Sequence, residues 1–481
     1  MEIRDRVDIK NYIIAIEQNF PINDWKIHGI HIWPIIRMEL YFALIYKLEK
    51  KSIKLPCATK PRPSIPYTLK NRIKRRINLL STLLVNKYKI VKRKYNYSKS
   101  ISKLNHREII FVGGDVHRTV INKKWVNKFY DPIIQNLKLN SFYSLEYGKI
   151  DFSTFSHSEN ILDFNFFTST NTNSNSAEIN LMGYNDLIEH LQYSLFDNKI
   201  PNSLLEQNIV KNIRVFSTAY STSLEILQKI QPKELYMLWY YGYPGFAIIA
   251  AANQLGIKTI EVQHGPQTDV HLAYSNWTKL PVSGYDVLPR HFWCWEVESA
   301  KVIESWTNKN SLYTFEIGGN PWHNYIDESF DVKENYILYS LQTSPVNISE
   351  LFSNEIINAI KSSPVRWFIR FHPRQTNEEI TAVQNIIEQN CLTDKVETTK
   401  SNSSALPYLI RNCTLHVTHF SGSALEANIL KKKSVILNQI GVMSFESILK
   451  NNQAIYISYN DPLLAQKLYC YYDEINKKVI S

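Results

Sequence analysis

Two loops in the last third of the chain combine residue types that can hold a phosphate group. Arg370-Phe371-His372-Pro373-Arg374 closes one predicted strand, and Thr418-His419-Phe420-Ser421-Gly422-Ser423 closes another and opens a predicted helix. Ligands of α/β sheets bind beyond the carboxyl ends of the strands. Free N–H groups and hydroxyls at the start of a helix favour anions. The two loops therefore predict a two-sided phosphate clamp.

Each residue of the clamp has a distinct expected role. Arg and His side chains make strong, directional contacts with phosphate, and serine hydroxyls and helix N–H groups add to them. Glu426, one turn into the predicted helix, suits ribose hydroxyls, although a helix dipole alone also favours a carboxylate there. Simple capping of the helix by Ser421 remains an alternative to phosphate contact. The predicted donor-binding residues are Arg370, His372, Arg374, Ser421, Gly422, Ser423, Glu426 and Asn320.

Strand ends in the first half of the chain supply candidates for acid–base chemistry. Gln263-His264-Gly265 ends a predicted buried strand, so His264 is a candidate catalytic residue, and Gln263 and Gly265 are candidate acceptor-binding residues. A core histidine with satisfied hydrogen bonds is the alternative. Transfer to a hydroxyl needs a general base within hydrogen-bond reach. The candidate bases are Asp115, His117 and Asp269, with Asp115 preferred.

Strands alternate with helices from residue 108 onward, which predicts parallel sheets. The first set of strands starts at Ile109–Val112, and a second set starts at Tyr336–Ser340 after a hinge near 327–334. The predicted fold class is α/β, with two Rossmann-like domains facing a cleft and a helical, basic N-terminal extension. The predicted domains are residues 1–107, 108–326 and 327–481.

The positive charge of the chain is concentrated in one segment. The net charge is +11, and residues 50–107 contain 18 Lys and Arg side chains with no Asp or Glu. Apolar residues at helical spacing from Leu69 to Val91 predict a basic amphipathic helix over 69–94. Such a helix suits an anionic membrane surface, or it packs on its own protein with a solvated basic face. The segment lacks a recognised nucleic-acid-binding motif, so we expect no nucleic-acid partner.

Several classes of protein are disfavoured by motifs that the sequence lacks. It contains no Asp-x-Asp, which argues against a metal held by carboxylates, and no Walker loop or Gly-x-Gly-x-x-Gly fingerprint. The five cysteines are scattered, and no Cys-x-x-Cys pair occurs. We therefore expect no metal and no cofactor. The charged start of the chain and the absence of a long apolar run favour a cytoplasmic protein.

Four motifs together resemble a known family: Gln263-His264-Gly265-Pro266, Gly318-Gly319-Asn320-Pro321, His372-Pro373-Arg374 and Ser421-Gly422-Ser423. The set, over about residues 230–457, resembles GT-B glycosyltransferases of bacterial surface polysaccharides, the capsule and O-antigen transferases. The His-Pro and Ser-x-Ser pair is similar to motifs of sialic acid and Kdo transferases, where they hold the nucleotide monophosphate. The acidic motif that supplies the base in the sialyltransferases has no clear counterpart.

The resemblance implies transfer of a sugar from a nucleotide donor, CMP-Kdo or CMP-sialic acid, to a lipid-linked oligosaccharide acceptor. It places the protein on the inner face of the cytoplasmic membrane. A UDP- or dTDP-sugar donor is an alternative, as is a CDP-alditol used by a glycerol- or ribitol-phosphate transferase. A nucleotide-sugar epimerase and a non-catalytic scaffold docked on the membrane are the alternatives outside transferases.

Overall fold

The computed structural model describes residues 3–50, 92–147, 151–171, 178–196, 199–308, 310–327, 334–343 and 345–480. The chain forms two compact units, and each is described by itself. The first contains residues 1–117, 139–153 and 157–320, and the second contains residues 118–138, 154–156 and 321–481.

The first unit is built on a seven-stranded parallel sheet with the strand order β12-β11-β10-β9-β3-β6-β7. A small antiparallel sheet, β2-β1-β8, accompanies it. Helices α1 and α2 contribute many buried side chains to the same hydrophobic core as the large sheet. Trp33, the first residue of α2, and Trp25, in the segment between the two helices, also belong to this core. The strands of this unit are β1 (Lys26–Ile27), β2 (Ile30–His31), β3 (Ile109–Gly114), β6 (Phe142–Tyr147), β7 (Ile161–Asp163), β8 (Ile179–Asn180), β9 (Glu234–Met237), β10 (Lys258–Val262), β11 (His291–Cys294) and β12 (Thr314–Ile317). Its helices are α1 (Arg6–Asn19), α2 (Trp33–Lys50), α3 (92–102), α5 (Phe164–Thr170), α6 (Tyr184–Leu191), α7 (Glu206–Ile230), α8 (Tyr243–Gln254) and α9 (Val297–Thr307).

The second unit is built on a six-stranded parallel sheet with the strand order β15-β14-β13-β16-β17-β18. Every residue of its central strand β13 is buried, as expected for a parallel strand covered by helices on both faces. The strands of this unit are β4 (Arg118–Ile121), β5 (Lys124–Asn127), β13 (Tyr336–Ser340), β14 (Arg366–Arg370), β15 (Val396–Glu397), β16 (Leu415–Thr418), β17 (Ser434–Ile436) and β18 (Ala454–Tyr456). Its helices are α4 (Tyr130–Asn136), α10 (Ile348–Leu351), α11 (Asn354–Lys361), α12 (Asn377–Gln389), α13 (Thr399–Ser403), α14 (Leu406–Asn412), α15 (Ser423–Ile429), α16 (Gln439–Ser444), α17 (Glu446–Lys450) and α18 (Leu464–Ile480).

A hairpin from the first half of the sequence belongs to the second unit. Strands β4 and β5 pair antiparallel around Asn122 and Lys123, which have φ angles of 48° and 66°. Two consecutive positive φ angles are typical of the type I′ turn that joins hairpin strands. The Asn122 side chain donates to Asp327 at 3.2 Å, and its backbone N–H donates to the Ser403 carbonyl at 3.4 Å. The hairpin is therefore fixed to the second unit.

The two parallel sheets confirm the predicted α/β class with two Rossmann-like units, and helices α1 and α2 confirm a helical N-terminal region. The units divide the chain differently from the predicted domains, because residues 1–107 are grouped with the first sheet and 118–138 with the second. Most of the predicted basic helix over 69–94 lies outside the described residues. Among the described residues, no helix is both long enough and apolar enough to cross a membrane.

Candidate functional site

The carboxyl ends of β13 and β16 mark the topological switch point of the second sheet. From β13 the chain continues to β14 and β15 on one side, whereas β16, β17 and β18 follow on the other. Ligands of open parallel sheets bind in the crevice at such a point, where the connections leave in opposite directions. A candidate site is therefore expected at the ends of these two strands.

A cavity of about 220 Å³ lies at this position, within the second unit. We call it the switch-point cavity. Its lining is Arg118, Thr119, Ile121, Lys128, Trp322, Ser340, Leu341, Arg370, Phe371, His372, Pro373, Ala405, Leu406, Ser421 and Ser423. No Asp or Glu occurs among the described residues that line it. The lining has three cationic side chains, a histidine and three serines, a composition that favours an anion over a cation.

Arg370 and His372 lie at the end of β14, as the sequence predicted. The Arg370 guanidinium donates to the carbonyls of Ser401 and Ser404 at 2.6 and 2.8 Å, so its position is fixed by the backbone. Burial lowers the pKa of Arg370 to about 10, which leaves it charged at neutral pH. His372 Nδ1 accepts from the Arg374 backbone N–H at 3.2 Å. In the neutral ring the proton is therefore on Nε2, which makes Nε2 a donor.

A buried histidine orders two of the serine hydroxyls. His416 Nε2 lies 3.1 Å from the hydroxyls of both Ser340 and Ser423, and Nδ1 lies 3.0 Å from the Ser434 hydroxyl. Burial lowers the pKa of His416 to about 3, so the ring is neutral and has one donor and one acceptor nitrogen. His416 lies within β16, and its type and position in the sequence do not indicate this role. Its contact with Ser340 joins residues far apart in the chain.

Two cations of the cavity, Arg118 and Lys128, come from the hairpin segment. Arg118 donates to the Trp125 carbonyl at 2.9 Å and packs over the Phe155 ring at 4.1 Å. Lys128 is half-buried. Sequence reasoning missed both residues because they precede the second sheet by some 200 positions. The Asn122-Lys123 pair was the available sequence signal for a hairpin turn, but it does not indicate which sheet the hairpin joins.

The remaining predicted donor-binding residues lie outside this lining. Arg374 is exposed, and Gly422 precedes α15 as its exposed N-cap. Glu426 lies one turn into α15, where burial raises its pKa and the charges of Lys128 and Arg370 oppose that change. Asn320 is the last residue of the first unit and lies outside the second unit, which contains the lining.

Two candidate catalytic histidines meet in the first unit. The rings of His117 and His264 pack edge to face with their centroids 5.1 Å apart. His264 Nδ1 lies 3.3 Å from the Val262 carbonyl and 3.5 Å from the Glu261 carboxylate. Burial lowers the pKa of His264 to about 4, so this imidazole is neutral at pH 7. A neutral histidine can accept a proton, and it also fits the alternative of a core histidine.

The two candidate carboxylate bases have different surroundings. Asp115 opens a short 3₁₀ turn directly after β3 and is partly exposed. Asp269 is exposed and forms an ion pair with Lys10, and it accepts from Asn276 at 2.9 Å. Hydrogen bonds from Lys10 and Asn276 lower the pKa of Asp269, which makes it a weaker base. Asp115 therefore stays the preferred candidate.

The predicted acceptor residues have structural contacts. The buried Gln263 side chain donates to the Gly265 carbonyl and to Ser299, both at 3.0 Å, and it accepts from the Trp295 backbone N–H at 2.7 Å. These bonds hold the loop that carries His264. Gln263 therefore stabilises the loop that follows β10, and Gly265 is a partly exposed residue of this loop.

Gly318 is required by the packing of Trp293. A Cβ atom added at Gly318 would lie 2.2 Å from the indole, and the indole N–H donates to the Gly319 carbonyl at 2.8 Å. We expect Gly318→Ala to lower the free energy of unfolding by about 1–3 kcal/mol, because overpacking displaces a rigid ring. Urea unfolding measures this loss. Gly265→Ala is the matched control, since no atom lies within 4 Å of the added Cβ; equal losses in both variants would contradict the explanation.

The described residues contain no group of three or more His, Cys, Asp or Glu side chains placed to hold a metal ion.

Comparisons with known proteins give structural neighbours only. No family model matches the chain, and no curated protein matches it. The UDP-GlcNAc 2-epimerase of Methanocaldococcus jannaschii is 13% identical, with a TM-score of 0.37 over 75% of this chain and 91% of that one. The Neisseria meningitidis UDP-GlcNAc 2-epimerase, solved with UDP-GlcNAc, is 13% identical, with a TM-score of 0.39 over 76% and 93%. A glycotransferase of kitacinnamycin is 12% identical, with a TM-score of 0.33 over 78% and 96%. Because these likenesses are weak, the function proposed below rests on the switch-point cavity.

Proposed function

We propose that the protein is a glycosyltransferase that binds the phosphate groups of a nucleotide-sugar donor in the switch-point cavity. The observation that carries this proposal is the lining itself, which has Arg118, Lys128, Arg370 and His372 with three serines and no described carboxylate. Charge-assisted hydrogen bonds from such groups stabilise a phosphate in the ground state and as a leaving group. The reaction needs no metal in this proposal, because the cations neutralise the leaving phosphate.

The proposed donor is CMP-Kdo or CMP-sialic acid, and the proposed acceptor is a lipid-linked oligosaccharide of a bacterial surface polysaccharide. The His-Pro and Ser-x-Ser motifs support the donor, since His372, Ser421 and Ser423 line one cavity. Asp115 would take the proton of the acceptor hydroxyl. Association with the inner face of an anionic membrane through residues 69–94 belongs to the same proposal.

A nucleotide binding screen tests the proposal. We expect CMP to raise the unfolding temperature of the full chain, because ligands that bind only the folded state stabilise it. CDP, UDP and dTDP are titrated in parallel. Binding of UDP or dTDP without any cytidine nucleotide would refute the proposed donor, and binding of none of the four would refute the phosphate site.

An activity assay distinguishes a glycosyltransferase from an epimerase. The substrate is the sugar conjugate of whichever nucleotide binds in the screen. When it is incubated with the protein and an acceptor, the nucleotide should be released and the acceptor should be extended. Conversion of the donor into an epimer without any acceptor would contradict the transferase and indicate the alternative enzyme.

A further inference from the structure

The first unit has a cavity of opposite character to the switch-point cavity. It has a volume of about 290 Å³ and lies between α2 and the segment that joins β9 to α8. We call it the aromatic cavity. Its lining is Ile35, Met38, Glu39, Phe42, Trp239, Tyr241, Gly242, Tyr243, Pro244 and Phe246. Half of these residues are aromatic.

Two rings at the aromatic cavity are accessible to solvent. Phe42 is 44% exposed and Trp239 is 38% exposed. Both contact Tyr241, with centroids 6.3 and 6.2 Å away. Trp239 also has a φ of 60°, a strained conformation for a bulky residue. Strained residues are enriched at ligand sites, which makes Trp239 a candidate for contact with a ligand.

Apart from the tyrosines, Glu39 is the only ionisable residue among the described residues that line the aromatic cavity. Glu39 Oε1 accepts from the Tyr243 hydroxyl at 2.7 Å, which fixes the carboxylate against the aromatic wall. No Lys, Arg or His occurs among the described lining residues. Ring faces carry a negative quadrupole. The faces and the carboxylate therefore make the aromatic cavity complementary to a cation.

Few hydrogen-bond acceptors line the aromatic cavity, and this limits the kind of cation that it can bind. A primary ammonium carries three N–H donors that must be satisfied when buried. Glu39 already uses one oxygen for Tyr243. A quaternary ammonium has no N–H group and presents methyl groups to the rings. An uncharged apolar group would also fit the rings, but it would leave a carboxylate partly desolvated without a charge partner.

We propose that the aromatic cavity binds a quaternary ammonium group, such as that of choline. Aromatic residues that surround such a cation bind it through cation–π attraction. This site goes beyond the proposed transferase function, and its chemistry does not depend on the switch-point cavity.

Calorimetric titration of the full chain with choline tests this proposal. The matched probe is 3,3-dimethylbutan-1-ol, which has the same shape without the charge. We expect saturable choline binding that is about tenfold tighter than binding of the neutral probe. Equal binding of the two probes would show a plain apolar cavity and overturn the proposal, as would absence of saturable choline binding.

Two variants locate the binding to this cavity. We expect Glu39→Gln, which keeps an acceptor for Tyr243, to weaken choline binding about tenfold, and Phe42→Ala to weaken it several-fold. Tyr46→Ala is the control, because Tyr46 is 57% exposed on the same helix and does not line the cavity. Circular dichroism verifies folding of each variant. Unchanged choline affinity in folded Glu39→Gln and Phe42→Ala proteins would refute the assignment.

Discussion

Replacing Lys128 by Glu is expected to weaken nucleotide binding by about 100-fold, because it removes one charged contact to phosphate and adds a repulsive charge. Lys128 lines the switch-point cavity and is only half-buried, so the folded structure should tolerate the change. The dissociation constant of whichever nucleotide binds the intact chain is the measurement.

The hairpin supplies a matched control for this variant. Lys124 begins β5 four residues earlier, is exposed and lies outside the cavity lining, so Lys124→Glu makes the same charge change elsewhere. The total charge is equal in the two variants, which removes long-range electrostatics as an explanation. Equal loss of affinity in both would mean that Lys128 attracts nucleotides only through the overall field. An unchanged affinity in Lys128→Glu would remove the hairpin from the binding site.

Acidification is expected to destabilise the second unit through its buried histidines. Burial lowers the pKa of His416 to about 3 and that of His419 to about 4. The ordinary value is 6.5, so below that pH the unfolded chain binds protons that the folded unit does not. The stabilisation is complete above pH 6.5 and is lost as the pH falls from 6.5 toward 4. Two such groups give a loss of about 3 kcal/mol per pH unit.

Urea unfolding at pH 7, 6 and 5 measures this dependence. His419→Gln should reduce the pH slope, because one titrating group is removed. Tyr339→Phe is the matched control, since it removes the hydroxyl that lies 3.0 Å from His419 Nε2 and keeps the imidazole. It should lower stability without reducing the slope. A free energy of unfolding that is constant from pH 7 to 5 would contradict the neutral state of these rings.

The parallel strands of both units could be read from the sequence. Strand β13 is a short run of mainly apolar and aromatic residues, and its predicted bounds, Tyr336–Ser340, match the observed ones. Since carboxyl ends of parallel strands meet at one edge, the sequence also indicated that His372 and Ser423 lie close together. Both residues line the switch-point cavity. Their role as phosphate ligands remains a prediction, which the binding screen tests.

The hairpin and the buried network could not be predicted in the same way. Asn122-Lys123 is a weaker turn signal than Asn-Gly, because Lys rarely adopts a positive φ. Its attachment to the second unit depends on single bonds to Asp327 and Ser403, which sequence periodicity does not report. His416 is buried in β16 like its neighbours, and only three-dimensional contact shows that it orders Ser340 and Ser423.

The attachment of the hairpin to the second unit bears on how this protein can be divided or recombined. A gene fragment that encodes only residues 321–481 would lack Arg118 and Lys128, and its product would have an incomplete switch-point cavity. Exchange of C-terminal halves between related chains would combine the hairpin of one parent with the sheet of the other. The lining of the switch-point cavity is therefore encoded by two separate stretches of the gene, and a chimaera would keep one parent's cavity only if both stretches were exchanged together.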